Sequence, residues 1–223
     1  MDRLLLKRAT QAGCRLVPSR ARRFESVDSG KWIVHAENGH REEVDYLVGA
    51  DGATSTLRKR FGLLFGHQDL SITLGYYIPG EFHPDTLYIR FVDPELIGYL
   101  WSFPRVDHLS LGVLGLYRHF SSPQLRQLLN RFASDLYQIE DPTVSPSYAA
   151  PVPTLSLPTL ENLRVDGVNW ASVGDAAGFV DPITAEGLYY AVRSAESLGQ
   201  SLLDGRSQDY HETWREDFGR ELI

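Results

Sequence analysis

Two stretches of this chain are written in the same grammar, and that repetition constrains the fold more than any other feature. The first is Asp45-Tyr-Leu-Val-Gly-Ala-Asp-Gly-Ala-Thr-Ser-Thr-Leu-Arg58. The second is Val173-Gly-Asp-Ala-Ala-Gly-Phe-Val-Asp-Pro-Ile-Thr-Ala-Glu-Gly-Leu188. Each runs from a short apolar strand through an acid and glycines into a helix. In an open α/β sheet the crevice beyond the carboxyl ends of the strands is where ligands bind. Gly49, Gly52, Gly174 and Gly178 let backbone approach a ligand closely, and a helix N-terminus just past them offers N–H groups to anionic oxygen. A carboxylate at Asp51 or Asp175 can accept a hydrogen bond from a sugar or polyol hydroxyl. Singly, each stretch is equally well a plain strand-to-helix turn; together they favour a ligand crevice.

The rest of the chain sets bounds. Its 223 residues, 43% hydrophobic and 23% charged, suffice for one large domain or two small ones around a core and exclude a disordered tail. No run approaches the roughly 18 apolar residues of a membrane span, and the opening Met-Asp-Arg-Leu-Leu-Leu-Lys-Arg has too short an apolar core for a signal peptide. The expectation is a chain that neither spans a membrane nor is exported. The single cysteine, Cys14, excludes an internal disulfide and a thiolate zinc site, and reads as a buried strand residue in a protein of the reducing cytoplasm. The seven histidines show no metal-ligand spacing, so no metal is expected. Residues 1–60 carry a net charge of +4 and the remainder −11. The basic runs at residues 20–23 and 58–60 lack the interleaved aromatics of a nucleic-acid groove, so no nucleic-acid partner is expected.

Periodicity predicts a helix over residues 3–12, offering Leu4, Leu5 and Leu6 to a core and stopping near Gly13. Short strands follow at 15–17, 22–27 and 31–37, with turns at Asp28-Ser29-Gly30 and Asn38-Gly39. They form an antiparallel meander whose last strand, 46–48, reads as buried on both faces. Strands at 71–78, 86–92, 97–103 and 109–116 form a second sheet. A helix capped by Ser122 runs to about Tyr137, residues 142–158 form a proline-rich extended connector, and 168–173 is a buried strand. Helices from about Glu186 to Leu203 and from about Ser207 close the chain.

In the second sheet, Tyr99-Leu-Trp101-Ser-Phe103-Pro104 places Tyr99, Trp101 and Phe103 on one strand face. By spacing alone three aromatics at period two read as the core face of a sheet ahead of the wall of an apolar cavity.

These motifs together carry a resemblance. Residues 46–58 resemble the aspartate-glycine fingerprint of the glutathione-reductase-type FAD oxidoreductases, and residues 174–188 resemble their glycine-aspartate fingerprint. The aromatic strand followed by Gly112 is similar to that of the geranylgeranyl reductase family, and the likeness runs from the first helix to about residue 200. It implies an α/β fold: a partial FAD-binding Rossmann-like domain over residues 1–66 and 160–205, an inserted antiparallel β-sheet substrate domain over 67–159, and a C-terminal helix over 206–223. It implies FAD as cofactor, with Asp175 on the ribitol chain and Asp51, Gly52, Arg58, Gly174, Pro182, Gly187 and Leu188 around the flavin. The backbone near Gly187 and Leu188, at a helix N-terminus, stabilises the charge that reduction places on the ring.

The implied reaction is hydride delivery from reduced flavin to a carbon–carbon double bond of a prenyl-like apolar chain held against Tyr99, Trp101 and Phe103. The electrons come from an external donor, NAD(P)H or ferredoxin, Tyr99 is the one proton-donor candidate, and peripheral membrane contact fits a prenyl substrate. A monooxygenase of the para-hydroxybenzoate hydroxylase type and a non-catalytic fragment or subunit completed by another chain are the alternatives.

Two departures from the family pattern stand out. The chain as given has no Gly-x-Gly-x-x-Gly triplet, the turn that cradles the FAD pyrophosphate. The first βαβ unit is expected to be missing, so these residues alone bind FAD weakly or not at all. Ala185 stands where many members have glycine, a strained choice if the backbone there has positive φ. Arg58 reaches the flavin side of the crevice or forms a surface ion pair.

Overall fold

Alternating burial, turn chemistry and amphipathic spacing generate the elements of the computed structural model, which describes residues 2–27, 30–61, 63–82, 85–91 and 98–223. The chain divides into two compact units, residues 1–47 and 48–223.

In the first unit, helix α1 (Asp2–Gln11) ends before Gly13, whose φ of +100° supplies the left-handed turn. Leu4, Leu5 and Leu6 are exposed on it rather than serving a core. Strands β1 (Ala21–Ser26), β2 (Trp32–Ala36) and β3 (Arg41–Val44) form the expected antiparallel meander, in register through Phe24↔Val34 and Trp32↔Val44. Phe24, Trp32 and Ile33 are its buried residues. Gly39, at φ +81°, makes the β2–β3 turn. Of the turn expected at residues 28–30, Asp28 and Ser29 lie outside the described residues. Residues 15–17 form no strand, and Leu16 is exposed. Cys14 is exposed outside any strand, which corrects the expectation of a buried strand cysteine.

Strand β4 (Leu47–Gly49) does not close the meander; it joins a different sheet. It also alternates, with Leu47 and Gly49 buried and Val48 exposed, so it is not covered on both faces. Helix α2 (Thr56–Arg60) follows it.

The second unit is dominated by a five-stranded antiparallel sheet of β5 (Leu70–Pro79), β6 (Tyr88–Phe91), β7 (Gly98–Pro104), β8 (His108–Leu116) and β9 (Ser147–Pro153), in the order β6-β7-β8-β5-β9. The ends of two expected strands, at Val92 and Ile97, lie outside the described residues. Helix α3 (Ser122–Tyr137) covers one face. Its buried residues Leu125, Leu129 and Phe132 recur at helical spacing and meet Leu74, Tyr76, Leu100, Leu109, Leu111 and Val113 of the sheet. The cap is Ser121, one residue earlier than expected, because its backbone N–H donates to Gln124 Oε1 at 2.9 Å.

Strand β9 was expected as connector. Its Pro151 and Pro153 pair with Ile72 and Leu70 at the sheet edge, where a residue without an N–H is tolerated.

A small sheet of β10 (Asp166–Gly167), β11 (Trp170–Ser172) and β4 follows helix α4 (Leu157–Glu161). The expected strand at 168–173 is shorter because exposed Val168 and Asn169, at φ +56°, make the β10–β11 turn. Helices α5 (Leu188–Leu203) and α6 (Tyr210–Asp217) complete the unit. Among the described residues no helix is long and apolar enough to cross a membrane.

Candidate functional site

The two motifs meet. The Val173 N–H, directly after β11, donates to the carbonyl of Gly49, the last residue of β4, at 2.9 Å. Both turns therefore leave neighbouring strands side by side. Gly49 permits this closeness, since a Cβ there would lie 2.9 Å from a Leu57 methyl and 3.1 Å from Ser172 Oγ.

The first turn is internally satisfied. Gly52 takes φ +78°. Asp51 Oδ2 accepts the Thr56 N–H at 2.6 Å, and Ser55 Oγ accepts the Arg58 N–H at 3.1 Å. The short helix α2 thus has part of its N-terminus occupied by its own side chains, which is the turn reading of this segment.

Arg58 is buried, with its guanidinium 3.9 Å from the centroid of Phe65, and among the described residues it forms no surface ion pair. Among the described residues its Nε and Nη1 have no hydrogen-bond partner. Burial pulls its pKa down to about 10, with Asp69 opposing the shift. Asp69 is a hub the motifs did not reveal. Burial works against its charge, but donation from Thr159, Ser156 and Gly66 outweighs it and lowers the pKa.

The second turn is built for a different purpose. Gly174 takes φ +54° and its N–H donates to Ser194 Oγ of α5 at 3.0 Å; Gly178 takes φ +89°. Phe179 anchors the loop between Trp214 and Phe218, with ring centroids at 4.7 and 5.0 Å. Asp175 projects toward the start of α5, where a Cβ on Gly187 would lie 2.6 Å from its Oδ1. Burial pushes the Asp175 carboxyl above the usual carboxylate range, opposed only by its own backbone N–H among the described residues. Helix α5 begins at Leu188 with Gly187, which has no side chain, at its cap, so the carboxylate sits beside a helix end whose first N–H groups have no acceptor within the helix.

Between them runs a tight loop, residues 181–186, absent from the site residues expected of the sequence except at Pro182. Asp181 Oδ1 accepts the N–H groups of Ile183 (2.9 Å) and Thr184 (2.7 Å) and the Thr184 hydroxyl (2.9 Å). The Asp181 N–H donates to Glu186 O at 3.0 Å, and Ala185 is held at φ +57°. This loop delays the helix from residue 186 to 188. The signal in the sequence is Asp-Pro followed by Thr at the third position, an Asx-turn pattern.

The aromatic face is formed as expected. Tyr99, Trp101 and Phe103 lie in a row with centroids 5.6 and 6.2 Å apart, and Phe91 extends it at 5.9 Å from Tyr99. It is the sheet face opposite α3. Trp101 is buried, Tyr99 and Phe103 half-buried. The Tyr99 hydroxyl donates to the Thr184 carbonyl, joining this face to the loop that leads into α5. Burial and the Asp181 carboxylate push the Tyr99 phenol up. Tyr148 of β9, outside every motif, joins the face 4.9 Å from Tyr77.

This geometry is accompanied by likeness to known proteins. A geranylgeranyl diphosphate reductase of Oryza sativa subsp. japonica is 28% identical over the whole chain and half of its own length. A digeranylgeranylglycerophospholipid reductase of Methanothrix thermoacetophila is 30% identical over 81% of the chain and 48% of its own length. The chain is a homologue of the geranylgeranyl reductases. The fold of this reductase homologue matches a geranylgeranyl bacteriochlorophyll reductase-like protein of Thermoplasma acidophilum with a TM-score of 0.81 at 20% identity, over 99% of this chain and 59% of the other. No family model matches the sequence. The chain spans about half the length of the curated relatives it matches.

Proposed function

We propose that this chain carries the flavin-ring side of an FAD site and the substrate wall of an oxidoreductase that reduces carbon–carbon double bonds in a prenyl or other apolar chain. The observation that carries this reading is the half-buried Asp175 carboxylate against Gly187, beside the start of α5. A desolvated acceptor with no side-chain donor among the described residues suits the hydroxyls of a ribitol chain. Free N–H groups at a helix start suit the negative charge of a reduced flavin ring. The residues present therefore fit the cofactor.

Gly174, Asp175, Pro182, Gly187 and Leu188 would hold the ring and ribitol, with Asp51, Gly52 and Arg58 on the neighbouring turn. This assigns residues 1–66 and 160–205 to the cofactor and 67–159 to the substrate. Bound FAD supplies the hydride, and its electrons come from NAD(P)H or a ferredoxin. The wall of Tyr99, Trp101 and Phe103 orients the alkene and excludes water. Tyr99 ties that wall to the 181–186 loop, and it serves as proton donor only in a state where its hydrogen bond to Thr184 has exchanged. The reaction belongs to the cytoplasm, with membrane contact limited to collecting a prenyl substrate.

The test is product mass. The complete protein, loaded with FAD and a reductant, is expected to add two hydrogens per reduced double bond to geranylgeraniol; an unchanged mass contradicts the reading. Trp101→Ala is expected to depress this turnover more than flavin content, whereas equal loss of both assigns Trp101 to folding alone.

A further inference from the structure

The aromatic face has a low middle and one raised end. One row across four strands, Trp101–Gly112–Gly75–Tyr148, has glycine at both central positions. A Cβ on Gly112 would lie 2.0 Å from Trp101 Cζ2, and one on Gly75 would lie 2.1 Å from Tyr148 Cζ. Strand side chains ordinarily stand perpendicular to the sheet; these two rings instead lie over the neighbouring glycine, which keeps that row low. The next row, on the side away from Tyr99, is Phe103–Ser110–Tyr77. It offers Tyr77 no glycine to lie over, and Tyr77 is 42% exposed where Trp101 is 9%. Tyr77 is braced on two sides, 4.9 Å from Tyr148 and edge-on to His108 at 5.3 Å, with His108 Nδ1 held 2.7 Å from Asp107 Oδ1.

The other end of the face is closed by Tyr99, whose hydroxyl donates to the Thr184 carbonyl of the loop leading into α5. Tyr99 and Phe103 are four strand steps apart, so the face runs for roughly 14 Å between the two ends. An extended isoprene unit adds four carbon–carbon bonds to a chain and spans roughly 5 Å. We infer that Tyr77, braced by Tyr148 and His108, ends the substrate wall and sets the chain length it accepts: with one isoprene unit at the Tyr99 end, about three more reach Tyr77 and a fifth projects past it. This rests on the function proposed above, which places the flavin at the Tyr99 end.

The test is displacement of a fluorescent apolar probe from the complete protein by geraniol, farnesol, geranylgeraniol and geranylfarnesol, with melting temperature measured alongside. These alcohols carry two, three, four and five isoprene units. Affinity is expected to rise at each step up to geranylgeraniol and then to level off. Tyr77→Ala, and Tyr77→Leu, which keeps an apolar side chain, are expected to bind geranylfarnesol at least about ten-fold more tightly than the unaltered protein does, because one further unit is buried. Farnesol binding is expected to stay the same in both. Tyr77→Phe keeps the ring and is expected to keep the levelling at geranylgeraniol. An unchanged length dependence in both shortened variants overturns the inference, as does equal weakening at every length, which assigns Tyr77 to folding. If the unaltered protein binds none of the four alcohols, the function proposed above fails, and the inference with it. If it binds them and still tightens at geranylfarnesol, that function stands and the inference alone fails.

Discussion

At residue 185 the chain holds an alanine at φ +57°, in a region where a Cβ meets the following carbonyl at a cost of roughly 1–2 kcal/mol. Glycine avoids that contact but loses more chain entropy on folding. Ala185→Gly is expected to raise unfolding free energy by about 0.5–1 kcal/mol, read from urea unfolding; a decrease contradicts the backbone conformation. Asp175 stores a different cost. Its carboxyl pKa is raised by burial, so the folded chain keeps its proton to higher pH than the unfolded chain does. Stability from this group is full below the unfolded pKa and is lost as pH rises through the folded one. Ligand-free Asp175→Asn is therefore expected to melt higher than the unaltered chain at neutral pH and to lose that advantage in acid. A constant difference across pH contradicts the assignment. The strain at Ala185 was legible only through the resemblance, in which many members carry glycine at this position; the positive φ itself is seen in the structure. The burial of Arg58 was not, since the same residue spacing serves an exposed ion pair equally well.

The elements show where periodicity stops being informative. Strands β5, β7 and β8 were legible from their apolar runs. Strand β9 was hidden by its prolines, because a sequence cannot say whether a proline lies at a sheet edge or in a loop. The start of α5 was misplaced by two residues for a comparable reason: the 181–186 loop is held by side-chain acceptors, which apolar periodicity does not register. Asp181 accepts three hydrogen bonds there, and burial opposes its charge less than the Thr184 and Ile183 donors favour it. Asp181→Ala is expected to destabilise the chain by about 1–3 kcal/mol, and Asp181→Asn, which retains an acceptor, by less. Equal losses, measured by thermal unfolding, contradict the capping role.

Within the unit of residues 48–223, three separately recognisable pieces converge: the Asp51 turn, the Asp175 loop with the start of α5, and the aromatic face of the five-stranded sheet. The hydrogen bond from Val173 to Gly49 joins the first two, and that from Tyr99 to Thr184 joins the loop to the sheet. The motifs were readable because each requires particular residue types at fixed spacing. Tyr148 and the paired glycines beneath it were not, since they are neighbours only through strand register.

The most direct test of the Asp175 assignment compares riboflavin and FAD, titrated into this chain and into Asp175→Ala. Riboflavin carries the ring and ribitol without the pyrophosphate for which these residues show no glycine-rich cradle. The expected result is weak binding of both flavins with similar affinity, lost by at least about ten-fold in Asp175→Ala, the scale of a buried charged hydrogen bond. Equal riboflavin binding by the unaltered chain and Asp175→Ala would contradict the placement of a flavin at Asp175 and the start of α5.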